Sequence, residues 1–270
     1  MNDDLRRVDL ALVALGLAPS RERAQRLIAA GLVRVNGSAV KKPSEKVRED
    51  DALTVLGQDI PYVSRGGLKL ERALDAFGVD PAGRVCLDIG ASTGGFTDVL
   101  LRRGASRIYA VDVGVGQLDP ALAADPRVVS MERVNARALS ASMFPEPPTL
   151  AVMDVSFISI RLILPAALPI LGARGRMLTL VKPQFEAGRQ NIGKRGIVSS
   201  AAAHEDVLRG LVGFVPALGW RVRALECSPI TGGDGNIEFL ADLVPEAACA
   251  EEIGADAIKA LVRRAHATHK

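Results

Sequence analysis

Histidine and cysteine are scarce in this chain, three of each among 270 residues. Cys86, Cys227 and Cys249 lie far apart and form no C-x-x-C pair, which argues against a disulfide framework or a cysteine-ligated zinc and fits a reducing compartment. His266 and His269 fall in the tail, so neither a histidine triad nor a histidine metal site is expected, and no metal is expected at all. A long hydrophobic run is missing too. The longest, Leu162 to Ala173, contains Pro165 and Pro169 and falls short of the roughly 20 residues a spanning helix needs. It reads as a buried helix. Met1-Asn2-Asp3-Asp4 is acidic and no apolar segment follows, unlike a secretory signal, so a soluble cytoplasmic protein is expected. Net charge is only +3, which permits a nucleic-acid partner without demanding one. No internal repeat or low-complexity segment is visible.

The 48% hydrophobic content supports a full core, and its organising stretch is Arg84 to Thr97, RVCLDIGASTGGFT. Val85 to Ile89 is an apolar run holding one acid, Gly90 to Gly95 is a tight turn, and Phe96 to Leu101 has helical apolar spacing. Strand, glycine turn and helix open a doubly wound α/β domain, whose ligand sits beyond the carboxyl ends of the strands. The turn is not a G-x-G-x-x-G dinucleotide fingerprint, because Ser92 stands where the second glycine belongs. Asp88, just before the turn, suits a cationic ligand better than a pyrophosphate. S-adenosylmethionine, with its ammonium and sulfonium, is such a ligand. Asp112 ends the next apolar run, where these folds place an acid for ribose hydroxyls. The expected cofactor-binding residues are Asp88, Gly90, Ala91, Ser92, Thr93, Gly94, Gly95, Asp112, Val113, Asn135 and Asp154.

Toward the amino terminus, Leu5, Val8, Leu12 and Leu15 predict one helical face and Arg21 to Ala30 predicts a second helix capped by Ser20. Leu32 to Gly37 alternates and ends in Asn-Gly, a hairpin signal, and Ala52 to Leu56 predicts another strand. Between Arg21 and Arg48 stand eight basic and two acidic residues. Such a run is either a solvated face or a patch that tracks phosphates. Two helices, then S-R-x-x-A-x-x-L-I-x-x-G-x-V-x-V-N-G and a basic turn, resemble the S4-type RNA-binding domain. That resemblance favours the phosphate-tracking reading, and such domains bind structured RNA by shape and backbone.

The remaining chain alternates strand and helix. Gln58 to Gly67 reads as a boundary, and a helix over 68–77 carries Lys69 in its first turn. Strands follow at 107–112, 128–130, 149–153 and 177–181, with Asp154 and Lys182 directly after the last two. Helices are expected over 160–171, 202–218 and 251–266, and strands over 221–226 and 237–244, the last one antiparallel at the sheet edge and starting near Glu238. Asn135 falls where such folds place a polar contact to adenine. Phe185 to Ser200, glycine-rich with Arg189, Lys194 and Arg195, is either a loop over substrate or plain connection.

Lys69, Asp154, Lys182 and Glu238, taken singly, have ordinary readings. Together, beside this turn, they resemble the Lys-Asp-Lys-Glu tetrad of FtsJ/RrmJ-like ribose 2′-O-methyltransferases. The succession of S4 module, S-R-G-G, D-x-G-A-S-T-G-G-F-T, D-V-G-x-G-Q-L, N-A-R, D-V-S-F-I-S, V-K-P-Q-F-E and G-N-I-E resembles the TlyA family, once called haemolysin A, across nearly the whole chain. The resemblance implies a Rossmann-like methyltransferase with a mostly parallel sheet and helices on both faces over residues 68–270. A small α+β S4-type domain over 1–57 and a linker at 58–67 would precede it. It implies SAM-dependent 2′-O-methylation of cytidine in 16S ribosomal RNA, 23S ribosomal RNA or both, with Lys182 as general base. The partner would be a ribosomal subunit, the protein a monomer with no membrane contact. The RNA-contacting residues would be Arg6, Arg7, Arg21, Arg23, Arg26, Arg34, Lys41, Lys42, Arg65, Arg189, Lys194 and Arg195. The alternatives are a membrane-active haemolysin and a non-catalytic RNA-binding protein.

Overall fold

The computed structural model describes residues 5–18, 20–29, 31–56, 60–249 and 252–269, and the side chains of Arg26 and Ala29 lie outside that description. The chain divides into two compact units, Met1–Pro61 and Tyr62–Lys270.

In the first unit, β1 (Arg6–Arg7) leads into α1 (Val8–Ala14) and α2 (Arg21–Ala29), followed by β2 (Val33–Val35), β3 (Ser38–Ala39), β4 (Lys46–Val47) and β5 (Leu53–Val55). The strands pair antiparallel as β3-β2-β5 and as β1-β4. Asn36 and Gly37 both have positive φ, 51° and 80°, the setting that a two-residue hairpin turn requires. Ser20 Oγ accepts from the Arg23 amide at 3.2 Å, the expected cap. The first helix is shorter than its spacing predicts. Arg6 and Arg7 pair with β4, and Gly16 turns the chain away at φ +69°. Val8 and Leu12 therefore enter the core while Leu5 and Leu15 stay 49% and 60% exposed.

Inside this unit Asp9 is fully buried and charged. Arg7 grips it with two hydrogen bonds of 3.0 and 2.9 Å, and Arg21 and Gln25 add bonds of 3.1 and 3.0 Å. Arg7 foremost, with Gln25 and Arg21, holds the carboxyl far below the usual range against the opposing effect of burial. Two residues expected to face RNA thus direct donors inward.

The second unit opens with α3 (Gly66–Phe77). Tyr62 is buried beneath it, and a Cβ on Gly67 would overlap the Tyr62 ring. The Val63 amide donates to Asp98 at 2.9 Å, so 62–67 packs within this unit. There follow β6 (Val85–Ile89), α4 (Gly95–Arg102), β7 (Arg107–Val111), α5 (Pro120–Ala123), β8 (Val128–Met131), β9 (Leu150–Met153), α6 (Leu164–Leu171), β10 (Arg176–Val181), α7 (Pro183–Glu186), α8 (Ala201–Phe214), β11 (Trp220–Cys227), β12 (Phe239–Pro245) and α9 (Ala255–Thr268). They build a seven-stranded sheet in the order β11-β12-β10-β9-β6-β7-β8. β12 alone runs opposite to the other strands of this sheet, and it stands one place in from the edge, which β11 forms.

Strand alternation assigns the two faces. Leu87, Ile89, Tyr109, Val111, Met153 and Phe239 share one cluster with α6, α8 and α9. The intervening residues, Asp88 among them, point the other way, toward α4. The expected helix over 202–218 stops at Phe214 and continues as a tighter 3₁₀ turn at 215–218, because Pro216 offers no amide to continue the α-ladder. The one over 160–171 begins as a 3₁₀ turn before α6 for the same kind of reason, with Pro165 in the first turn of α6. Among the described residues no helix is long and apolar enough to cross a membrane, and no histidine, cysteine and carboxylate cluster could hold a metal.

Removing the acceptor in Asp9→Ala is expected to cost the first unit about 1.5–3 kcal/mol near neutral pH. Because folding lowers this carboxyl's pKa, its stabilisation is complete above the unfolded value of about 3.9 and declines as pH falls below it. Hydrogen-exchange protection of α1 and α2 amides in the full chain should therefore drop more steeply below about pH 4 in wild type than in Asp9→Asn.

Candidate active site

The register of the sheet determines what converges at one edge. Ile89 pairs with Val111 and Met153, Met153 with Thr179, and Val181 with Phe239. One step beyond the ends of these strands lie Gly90, Asp112, Asp154 and Lys182. Glu238 joins them because β12 runs the other way and begins where its neighbours end.

The turn after β6 needs its glycines. Gly90 and Gly94 have φ of +84° and +94°, and Ser92 is left-handed at +48°. A Cβ on Gly90 would lie 2.6 Å from the Asp154 carbonyl oxygen, and one on Gly95 would overlap Ser64 Oγ. Asp112 orders the far side of the turn. Its Oδ2 accepts from the Ser92 amide at 2.8 Å and its Oδ1 from the Gly114 amide at 2.7 Å. Ala91, Ser92, Asp112, Gln117, Ser130 and Glu132 line a cavity there. Gln117, Ser130 and Glu132 were not among the expected residues. Gln117 lies in the D-V-G-x-G-Q-L stretch, whereas Ser130 and Glu132 carry no local signal. Val113 is 74% exposed. Asn135 is exposed, and its Oδ1 accepts from the Arg137 amide at 3.0 Å, capping the turn 136–138.

Asp88 is fully buried. Thr97 Oγ1 donates to its Oδ2 at 2.7 Å, while among the described residues its Oδ1 accepts no hydrogen bond. Burial, reinforced by the charges of Asp154 and Asp112 and opposed by Thr97, pushes its pKa up to about 7. A buried carboxylate with an unsatisfied oxygen is stabilised by a cation. With a left-handed turn that admits close approach and an acid at the next strand end, these residues fit S-adenosylmethionine.

On the other side of Asp154, two ion pairs stand at neighbouring strand ends. Lys182 Nζ lies 2.6 Å from Asp154 Oδ1 and donates to Ser156 Oγ at 2.9 Å. Lys69, in the first turn of α3, donates to Glu238 Oε2 at 2.5 Å. Lys69, Lys182 and Glu238 are all buried. Lys69 thus reaches the strand ends and does not face solvent. Ser156 was not anticipated, nor was Phe157, 92% exposed and left-handed at φ +65°. Both belong to the D-V-S-F-I-S stretch.

Of the residues expected to meet RNA, Arg6, Lys41 and Lys42 are exposed on the first unit, where Arg34 donates to the Gly31 and Val33 carbonyls and Arg23 is half-buried. On the second unit Arg65 donates to the Thr231 carbonyl at 3.2 Å, and Arg189, Lys194 and Arg195 are exposed. Buried Asn236 ties their loop to the 228–238 loop, accepting from the Val198 amide and donating to the Gly196 carbonyl, both at 3.0 Å.

The model of the FtsJ-like methyltransferase family matches residues 62–243, and that of the S4 domain residues 6–53. A Bacillus subtilis chain assigned as an rRNA methyltransferase, YqxC, is 48% identical over all of this chain and 97% of its own length. The 16S/23S rRNA (cytidine-2′-O)-methyltransferase TlyA of Mycobacterium tuberculosis is 44% identical, covering 86% of this chain and 87% of its own. A solved structure from Streptococcus thermophilus, assigned as a hemolysin, superposes with a TM-score of 0.77 at 47% identity over 98% of this chain and 96% of that one.

If Asp88 meets a cation here, affinity for S-adenosylmethionine should follow its ionisation. The neutral acid dominates below about pH 7, so affinity should fall as pH drops, approaching about tenfold per unit. Titration calorimetry on wild type and Asp88→Asn checks this, the variant showing weaker binding with that dependence flattened.

Proposed function

The chain belongs to the FtsJ-like methyltransferase family, with an S4 domain preceding the catalytic one, and on that footing we propose that it methylates the 2′-oxygen of a cytidine in ribosomal RNA, acting as a cytoplasmic monomer on a ribosomal subunit. The observation that carries this reading is the pair of buried lysine–carboxylate contacts, Lys182–Asp154 and Lys69–Glu238, on adjacent strand ends beside the glycine turn.

A ribose hydroxyl is a weak acid and a weak nucleophile, so the site must take its proton and offset the negative charge that grows on oxygen. Bound S-adenosylmethionine supplies an electrophilic methyl on a sulfonium. Lys182, in its unprotonated form, accepts the hydroxyl proton. Asp154 and Ser156 hold its amine in one direction, and Asp154 stabilises the ammonium that results. Lys69, oriented by Glu238, adds positive charge beside the reacting oxygen. Asp88, Asp112 and the turn from Gly90 to Gly95 seat the cofactor. Phe157 offers an exposed ring on which a base can stack. Exposed Arg6, Lys41 and Lys42 of the S4 domain, and Arg65, Arg189, Lys194 and Arg195 of the catalytic domain, meet phosphates. This reading is supported by the names of the relatives, by the S4 domain and by the charge placement.

Transfer of labelled methyl to purified small and large ribosomal subunits and to naked rRNA, with the product mapped, tests it. Label on a cytidine 2′-oxygen is expected, and its absence with cofactor bound would overturn the substrate assignment. Lys182→Ala should lower kcat by about 10²–10⁴-fold with cofactor affinity retained. Lys182→Arg should fail as well, since a guanidinium keeps its proton. In the S4 domain, a Lys41→Ala, Lys42→Ala double variant should reduce the slope of log affinity against log salt by about 2, measured by RNA-binding titration at several salt concentrations.

A further inference from the structure

Helix α7, directly after Lys182, ends in Glu186, a carboxylate that the chemistry above does not use. Its side chain is only 4% exposed. Oε1 accepts from the Ile160 amide at 2.8 Å and Oε2 from the Ser159 hydroxyl at 2.7 Å. Ser159 Oγ also accepts from the Arg161 amide at 3.2 Å, capping the turn that begins at Ile160. Arg161 Nε, 3.7 Å from Oε2, gives the buried charge a distant counterpart.

These bonds tie down one end of segment 155–159. Its other end is tied to the sheet, where the Asp154 amide donates to the Ile89 carbonyl at 3.0 Å. Between the ties stand Ser156, which receives the hydrogen bond of Lys182, and Phe157, whose ring centroid is 5.5 Å from that of Phe185 in α7. A bulky residue at positive φ persists only where its surroundings over-determine it. Glu186 and Phe185 supply that constraint from the helix that also follows Lys182.

We propose that Glu186 is a positioning residue that locks segment 155–159 onto α7, so that Ser156 stays on Lys182 Nζ and Phe157 keeps its exposed, left-handed setting. The proposal rests on the reading of Lys182 as base. With Asp154 and Ser156 both in place, the amine has one remaining direction in which to meet a hydroxyl. A shift of about 1 Å at such a site costs on the order of 100-fold in rate.

The test uses the full chain with Glu186→Ala, Glu186→Gln and Ser159→Ala. Hydrogen exchange over 155–160, melting temperature, cofactor affinity, and kcat and KM on ribosomal subunits are measured. In Glu186→Ala, exchange over 155–160 should rise and kcat fall by about 10–100-fold, with cofactor affinity unchanged. Glu186→Gln keeps an oxygen for the Ile160 amide and should recover most of kcat. Ser159→Ala removes the bond to Oε2 and the cap on the Arg161 amide but leaves the Ile160 bond to Glu186, and should fall between. A merely structural role would lower the melting temperature and leave kcat of the folded enzyme alone. Unchanged exchange and kcat in Glu186→Ala, or a Gln variant as slow as the Ala variant, would overturn the proposal. If Glu186→Ala does not fold, unchanged exchange and kcat in Ser159→Ala would do so. Wild type that transfers no methyl to RNA would overturn the proposed function, and the exchange data alone would then decide the lock.

Discussion

Lys69, Glu238, Lys182 and Asp154 bring two positive and two negative charges to a sheet edge where little water reaches them, and three of the four are buried. A single buried charge is costly enough to shift its protonation or unfold its surroundings, whereas opposed charges in contact offset much of that cost. The pairing constrains the architecture around it. β10 must end beside β9 so that Lys182 meets Asp154. β12 must run antiparallel, because only a strand entering from that edge places the residue before its start, Glu238, beside the residues that follow its neighbours' ends. Helix α3 must lie where Lys69 reaches Glu238 across a sequence separation of 169 residues.

The two halves of the site share backbone. Gly90, which opens the turn after β6, has no room for a Cβ because the Asp154 carbonyl stands against it. Asp154 then faces Lys182, and the segment after it is bonded to Glu186 on the helix that follows Lys182. From Gly90 to Glu186 the contacts are continuous, so a displacement at either end is felt at the amine between them. The segment 62–67 packs from the other side, with Ser64 against Gly95 and the Val63 amide on Asp98 in the first turn of α4.

Much of this was legible along the chain. The apolar run that holds Asp88 and those before Asp112, Asp154 and Lys182 marked strands, the last three followed by charged groups, and the glycines between Gly90 and Gly95 marked a turn that only small residues can make. Other features depend on contacts that no local pattern encodes. Leu5 and Leu15 have helical spacing with Val8 and Leu12, yet backbone pairing at Arg6–Arg7 and the Gly16 turn leave them exposed. Arg7 and Arg21 are both among the residues expected to meet RNA, yet buried Asp9 draws both inward. Ser130 and Glu132 line the cavity only because β8 lies beside β7.

The order of strands and helices, the kind of residue that closes each strand and the flexibility of the glycine turn follow from short-range physics: alternation, helical periodicity and the missing Cβ. Which charge meets which, and whether a lysine is buried or solvated, follow from strand order and register, since a partner 169 residues away is brought to 2.5 Å by the packing of the sheet and α3 and by nothing in its neighbourhood along the chain.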